Sequence, residues 1–233
     1  MQKSIKYLFY LGISTCILAL ILIISTNLYL KPNLPKISLV DQSELQMPLK
    51  VYTKDGILIG EFGEIKRRAI TFEEIPQDIK NAFLAAEDDN FFNHQGISYT
   101  GLIRSFLRCL RPEGCEGGGG TISMQVVRGY LLTREQTIIR KIKEIFLALE
   151  LESNLNKEEI FELYVNRIFL GNRSYGIQAA ANTYFDKDLN ELNIAESATI
   201  AALAQLPSRV NPVKDPRRTL KRRNWILSRM LLL

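Results

Sequence analysis

Glu87-Asp88-Asp89 puts three carboxylates in a row where an apolar-periodic helix should stop, and the chain's only histidine, His94, follows seven residues after Glu87. That helix is read from Ile75, Ile79, Phe83 and Ala86, with Pro76 near its start. An acid at a helix carboxyl end meets the negative end of the dipole. Adjacent acids also disfavour each other's ionisation. Both effects raise a carboxylate's proton affinity toward what a general base needs. Such a triplet is otherwise a solvated helix end before a turn, so the rest of the chain has to decide its meaning.

Positive charge gathers just downstream. From Thr100 to Glu144 there are eight Arg or Lys against four Glu. Arg104, Arg108 and Arg111 recur at helical spacing opposite an apolar stripe of Leu102, Ile103, Phe106 and Leu107. That face is either plain solvated surface or a contact for anionic headgroups or a phosphate-bearing ligand. Gly117 to Gly120 lead into Thr121-Ile122-Ser123-Met124-Gln125 and the apolar Val126, Val127, Tyr130 and Leu131. No Lys-Ser/Thr pair follows the glycines, so this is not a P-loop. The stretch is a mobile linker or a cradle of N–H groups and hydroxyls for an anion at a helix start. Arg140-Lys141-Ile142-Lys143-Glu144 opens a long helix with an expected core face of Ile138, Ile142, Ile145 and Leu149. By spacing alone Arg140 and Glu144 form a surface ion pair worth a few tenths of a kcal/mol.

These groups must be held by a sizeable folded body. At 233 residues, with 46% hydrophobic and 24% charged residues, the chain is globular rather than disordered. The net charge is +5, and without Lys3 and Lys6 the remainder carries 28 basic and 25 acidic residues, +3. That excess is too weak to point to nucleic acid. One histidine and three scattered cysteines supply no metal-ligand set, so no metal site is expected.

Tyr7 to Leu30 contains no charge and no proline, long enough at about 1.5 Å per residue to cross a hydrocarbon core of roughly 30 Å. No small-residue cleavage pattern follows, which favours an uncleaved anchor over a signal peptide. Residues 1–30 are therefore expected as a short stub and transmembrane anchor, 31–48 (with Pro32 and Pro35) as a linker, and 49–233 as the folded domain, the charges flanking the span giving only a slight bias to a cytoplasmic stub. Leu49–Tyr52 and Ile57–Ile59 around Asp55-Gly56 predict a short β-hairpin. Everything later reads as helix. Asn156-x-x-Glu159 and Asn193-x-x-Glu196 are capping boxes, which explains Glu196 as a cap rather than a catalyst. The helix after Asn156 stops near Gly171, an Ala-rich helix follows Gly176, and the helix after Asn193 runs to Leu206 before Pro207. The last one carries Arg222, Arg223 and Arg229 around Trp225, Ile226, Leu227 and Met230. Cys109 and Cys115 are disulfide candidates if the body lies outside the cytoplasm.

Taken together, the motifs resemble those of the peptidoglycan glycosyltransferases of glycosyltransferase family 51, in the monofunctional form. That family's E-D-x-x-F-x-x-H-x-G is matched by Glu87, Asp88, Phe91, His94 and Gly96. Its G-G-S-T-x-T-Q-Q is altered here to Gly118-Gly119-Gly120-Thr121-Ile122-Ser123-Met124-Gln125, and its R-K-x-x-E is Arg140, Lys141 and Glu144. Its fourth motif is matched by Lys157, Ile160, Phe161, Tyr164, Asn166 and Gly171, and its P-S-x-x-N-P by Pro207 to Pro212. The resemblance covers roughly Val51 to Met230.

What the resemblance implies is a mainly α, lysozyme-like, two-lobed glycosyltransferase domain with a short β-hairpin and an N-terminal transmembrane helix. It implies polymerisation of lipid II on the outer side of a bacterial inner membrane, by inverting transfer to the acceptor's GlcNAc 4-hydroxyl. Glu87 is the implied base, and Glu144 supports the leaving-group side. Substrate binding falls to Asp88, Phe91, His94, Gly96, Thr121, Ser123, Gln125, Arg128, Arg140, Lys141 and Asn166. No tightly bound cofactor is expected, only a divalent cation (Mg2+ or Mn2+) accompanying the pyrophosphate. The implied partners are lipid II, the nascent glycan strand, the membrane and other cell-wall synthesis proteins, not nucleic acid. Three positions depart from the family pattern: Gly120 for serine, Met124 for glutamine and Arg128 for lysine. Met124 removes an amide that could face ligand. No S-x-x-K occurs, so no transpeptidase is expected within this sequence. Two rivals remain: a lysozyme-like glycan hydrolase with Glu87 as general acid, and an inactive membrane-anchored wall-binding protein. A sugar leaving group wants a proton whereas a pyrophosphate wants positive charge, so the basic cluster favours transfer.

Overall fold

The computed structural model describes residues 49–62, 70–109, 120–132, 137–207 and 209–233, with isolated positions 10, 25, 34, 35 and 37. Those isolated positions apart, the expected anchor and linker lie outside the described residues, as do Arg111, Cys115 and residues 117–119. Among the described residues no helix is long and apolar enough to cross a membrane. The chain divides into Met1–Lys36 and Ile37–Leu233, and the hairpin and the helical body both belong to the second unit.

The hairpin forms where Asp55-Gly56 predicts it. Strands β1 (Leu49–Tyr52) and β2 (Leu58–Phe62) pair antiparallel from Leu49 opposite Phe62 to Tyr52 opposite Leu58. Gly56 takes a φ of 81°, open to glycine without strain, and Thr53 closes the turn by donating its N–H to the Ile57 carbonyl at 2.7 Å. The remaining regular structure among the described residues is helical: α1 (Gln77–Glu87), α2 (Tyr99–Cys109), α3 (Ile122–Leu131), α4 (Ile138–Asn154), α5 (Lys157–Arg167), α6 (Ile177–Phe185), a 3-10 turn at Leu189–Glu191, α7 (Ile194–Leu203) and α8 (Pro216–Met230).

Caps account for most helix starts. Asn156 and Asn193 each form the reciprocal capping box, Thr121, Thr137 and Asp215 each accept one N–H, and Glu196 also pairs with Lys187. Helix α7 ends at Leu203, three residues short of expectation. It is enclosed almost all round, with Ala198, Ile200, Ala201, Ala202 and Leu203 buried, and it packs against α1 and α8. Helices α3, α4 and α5 pack together as a second group. Aromatic rings join α1 to α5: Phe83 meets Tyr164 edge-on at 5.9 Å, and Phe161 lies between Phe72, Phe91 and Tyr164.

One helix faces differently from its sequence pattern, and another leaves its apolar stripe outward. In α4 the buried face is Glu144, Leu147, Ala148 and Leu151, while Leu149 is exposed and Ile142 and Ile145 are half-buried. The helix is rotated toward its acid because two cations accompany Glu144 inward, removing the cost that would have kept a carboxylate out. In α2 the apolar stripe is largely outward, with Ile103 and Leu107 exposed and Leu102 half-buried, and among the described residues no helix packs closely against it. Arg104 is exposed too, and the side chains of Phe106 and Arg108 lie outside the described residues.

The corner after α5 is a fastener. Gly171 has a φ of 84°, and a Cβ there would lie 2.8 Å from the Tyr184 hydroxyl and 2.9 Å from the Pro207 carbonyl, so a side chain is excluded. The Tyr184 hydroxyl donates to the Leu170 carbonyl at 2.9 Å, and buried Asn211 donates to that same hydroxyl at 3.0 Å. The segment from Pro207 to Pro212 thus locks onto the fourth motif's glycine.

Candidate active site

Glu87 is the last residue of α1, and Asp88 caps the helix, so the acidic triplet does sit at a helix end. The three carboxylates then part company. Glu87 is half-buried and accepts one hydrogen bond, from Gln125 Nε2 at 2.9 Å. Asp88 is buried, accepting from the Ile122 N–H at 3.1 Å and lying 3.0 Å from His94 Nε2. Asp89 is outside, paired with Arg229.

Burial pushes the Glu87 carboxyl above the usual carboxylate range; the Gln125 hydrogen bond and the charges of Arg222 and Arg128 pull it back in part. The neighbouring Asp88, expected from sequence to be a main cause, is the smallest contributor. Its carboxylate is engaged by His94 and the Ile122 N–H instead.

The residues after Asp88 mainly build the support. Phe91 is fully buried, with the Lys157 ammonium 4.4 Å from its ring centre. Gly96 has a φ of 81° and backs onto Ala148, whose carbonyl oxygen would lie 2.9 Å from an added Cβ. Its own carbonyl accepts from the Thr121 hydroxyl at 2.6 Å, and Thr121 in turn caps α3 through the Met124 N–H. Ser123 is buried and bonded to Glu152, which also takes Lys157 at 2.7 Å. Asn166 is used entirely on backbone: it accepts from the Ile70 N–H and donates to the carbonyls of Ile70 and Glu162. In this structure Phe91, Gly96, Thr121, Ser123 and Asn166 spend their contacts within the protein. Met124 is also in the core, 1% exposed, so the position where the family carries glutamine does not face a ligand. Gly120 lies beside Lys141, with ordinary room for a Cβ.

Gln125, Arg128, Arg140 and Tyr164 instead line a cleft of about 720 Å³, together with Gly129, Tyr130, Arg167 and Tyr175. Gln125 ties this cleft to Glu87. Arg140 is positioned by Glu144, fully buried and gripped by both Arg140 and Lys141, the latter at 3.1 Å. The expected surface ion pair is thus an internal one, with a carboxylate holding two cations at the cleft's edge. Arg167 stacks on Tyr130 at 4.2 Å and donates to the Gly129 carbonyl at 3.0 Å.

Two contributors escaped sequence reasoning, and a third, Tyr164, is marked there only as a motif residue and not as a site residue. Arg222 on α8 donates to the Ala86 carbonyl at 3.2 Å from 136 residues away, and its charge acts on Glu87. Arg167 and Tyr164 are cleft residues, the second read from sequence as an inward position of the fourth-motif helix. No local spacing marks Arg222 or Arg167. Among the described residues no group of three or more His, Cys, Asp or Glu could hold a metal, and the side chains of Cys109 and Cys115 lie outside them.

Comparison with known proteins shows what the chain is similar to. The family described as Transglycosylase matches residues 55–231. Penicillin-binding protein 1A of Pseudomonas aeruginosa is 48% identical over 232 residues, all of this chain and 28% of that protein. Its namesake in Haemophilus influenzae is 50% identical over 190 residues, 82% of this chain and 22% of that one. The chain therefore spans under a third of the length of the curated relatives it matches. A crystal structure of penicillin-binding protein 1A from Haemophilus influenzae aligns over 80% of this chain and 18% of that one, 35% identical over the superposed residues. Its TM-score of 0.44 is too low to argue a shared architecture.

Proposed function

This chain belongs to the transglycosylase family, and from that premise we propose that it is a peptidoglycan glycosyltransferase that extends glycan strands from lipid II. The observation that carries the proposal is the pairing of Glu87, a carboxylate with raised proton affinity, with a cleft lined by Arg128, Arg140 and Arg167. One group suits an alcohol that must lose its proton, the others a leaving group that gains negative charge.

In the proposed step the acceptor's GlcNAc 4-hydroxyl attacks the anomeric carbon of the donor. The C–O bond forms as the bond to the lipid pyrophosphate breaks, with inversion, and Glu87 takes the hydroxyl proton. A positioned base of this kind contributes about 10²–10⁴ in rate. The arginines neutralise charge that grows on the departing pyrophosphate, an interaction stronger in the transition state than in the bound substrate. Glu144 and Lys141 serve that wall by fixing Arg140. Asp88, Phe91, His94, Gly96, Thr121, Ser123 and Asn166 hold the two sides in register. A divalent cation travelling with the pyrophosphate would be held by substrate oxygens, since the described cleft wall offers cations rather than carboxylates; no step is routed through it.

A lysozyme-like, two-lobed catalytic domain on a transmembrane anchor at residues 7–30, facing the periplasm, completes the proposal. It keeps the cleft beside a substrate confined to the bilayer. The test is incubation of the full chain with lipid II and, separately, with preformed glycan. Glycan polymer from lipid II is the expected result. Fragments released from preformed glycan would establish the hydrolase instead, and no change in either would leave a binding protein.

A further inference from the structure

Four buried side-chain polar atoms lack a hydrogen-bond partner among the described residues: His94 Nδ1, Arg140 Nε, Tyr164 Oη and Arg222 Nε. Three belong to groups already engaged through another nitrogen. Tyr164 differs, because its hydroxyl is the side chain's one polar atom. Burying a hydroxyl without a partner costs on the order of 1–3 kcal/mol, and structures seldom retain such groups without a use.

Its surroundings define that use. Tyr164 is 4% exposed, and its ring is set by Phe83 at 5.9 Å and Phe161 at 6.4 Å. Phe83 lies one helical turn before Glu87 on α1. Tyr164 also lines the 720 Å³ cleft alongside Gln125, the residue bonded to Glu87. Burial, then the nearby negative charge of Glu87, holds the phenol well above the usual tyrosine range, so it carries its proton as a donor.

We propose that the Tyr164 hydroxyl is a saccharide-binding group, donating a hydrogen bond to a sugar oxygen of the acceptor and so presenting the neighbouring hydroxyl to Glu87. The inference rests on the glycosyltransferase reading of this cleft and adds a residue to it. No proton leaves the phenol, and no bond to it is made or broken. Because the contact exists in the bound acceptor as well as in the transition state, its loss falls on KM more than on kcat.

The variant is Tyr164→Phe in the full chain, with three measurements: polymerisation of lipid II, calorimetric binding of a soluble GlcNAc–MurNAc disaccharide, and thermal unfolding. The expected result is kcat/KM lower by about tenfold, disaccharide binding weakened by a similar factor, and a Tm unchanged or raised, since no protein hydrogen bond is lost. Unaltered kcat/KM and binding would overturn the inference. So would a Tm several degrees lower, which would mean that the hydroxyl serves the fold. If the wild type polymerises nothing, the glycosyltransferase reading falls and the binding comparison alone decides Tyr164. Absence of disaccharide binding to the wild type would then sink this inference too.

Discussion

Glu87 and Glu144 are both glutamates on amphipathic helices, and the protein treats them in opposite ways. Glu144 is the more deeply buried, yet each oxygen is taken by a cation, Arg140 on one and Lys141 on the other. Glu87 keeps partial solvent access and has only a neutral amide in direct contact, its arginines acting from a distance. Depth alone does not make a base. What matters is whether burial is compensated, and the protein leaves under-compensated the one carboxylate to which the proposed reaction assigns a proton.

The same substitution at both sites breaks the comparison most sharply. Glu87→Gln is expected to lower kcat at least a hundredfold while stabilising the protein at neutral pH. A raised carboxyl pKa contributes stability at low pH that is lost as pH rises through the folded-state value. The variant should therefore match the wild type below the ordinary glutamate value of 4.5 and gain on it progressively above. Urea unfolding across that range checks the sign, and a variant less stable at neutral pH would contradict it. Glu144→Gln should do the reverse to stability, costing about 3 kcal/mol, because Arg140 and Lys141 lose a buried counter-charge. That figure is at the low end for a broken buried pair, since both cations retain some solvent access.

Smaller effects refine the cationic side. Arg128→Ala should reduce kcat by about tenfold with KM little changed if its charge meets the leaving group as proposed, the effect being limited because it stands exposed in the cleft. Arg104→Ala, on the outward face of α2, should leave kcat as it is. Steady-state kinetics on lipid II distinguishes them, and an inverted result would mean that the α2 stripe carries the chemistry. Arg222→Gln is the subtlest. Its charge holds Glu87 down, so its loss should move the acid limb of the kcat–pH profile upward with the plateau nearly intact. An unmoved limb would assign Arg222 to securing the Ala86 carbonyl alone.

Much of the frame is legible in the residues because its signals are local. Asp55-Gly56 marks the hairpin, Asn156 and Asn193 mark helix starts three residues ahead of their glutamates, and Gly171 sits where only a bare backbone fits. The inward turn of α4 is not legible, because Glu144 looks like a surface acid until two cations are known to follow it inside. Nor does the pattern of α2 say where its stripe faces: an amphipathic sequence shows that one face is apolar, not that anything covers it.

The amino-acid order determined which groups are present and where along the chain they cluster: a helix-ending carboxylate, a run of cations after it, and caps that start most of the helices. Those rest on interactions within a few residues, which spacing encodes. Tertiary structure alone decided which carboxylate would be left wanting a proton, that Met124 packs inward, and that Arg222 and Tyr164 come to Glu87 at all. Proton affinity depends on every charge and every missing water around a group, and those neighbours arrive from helices far apart in sequence.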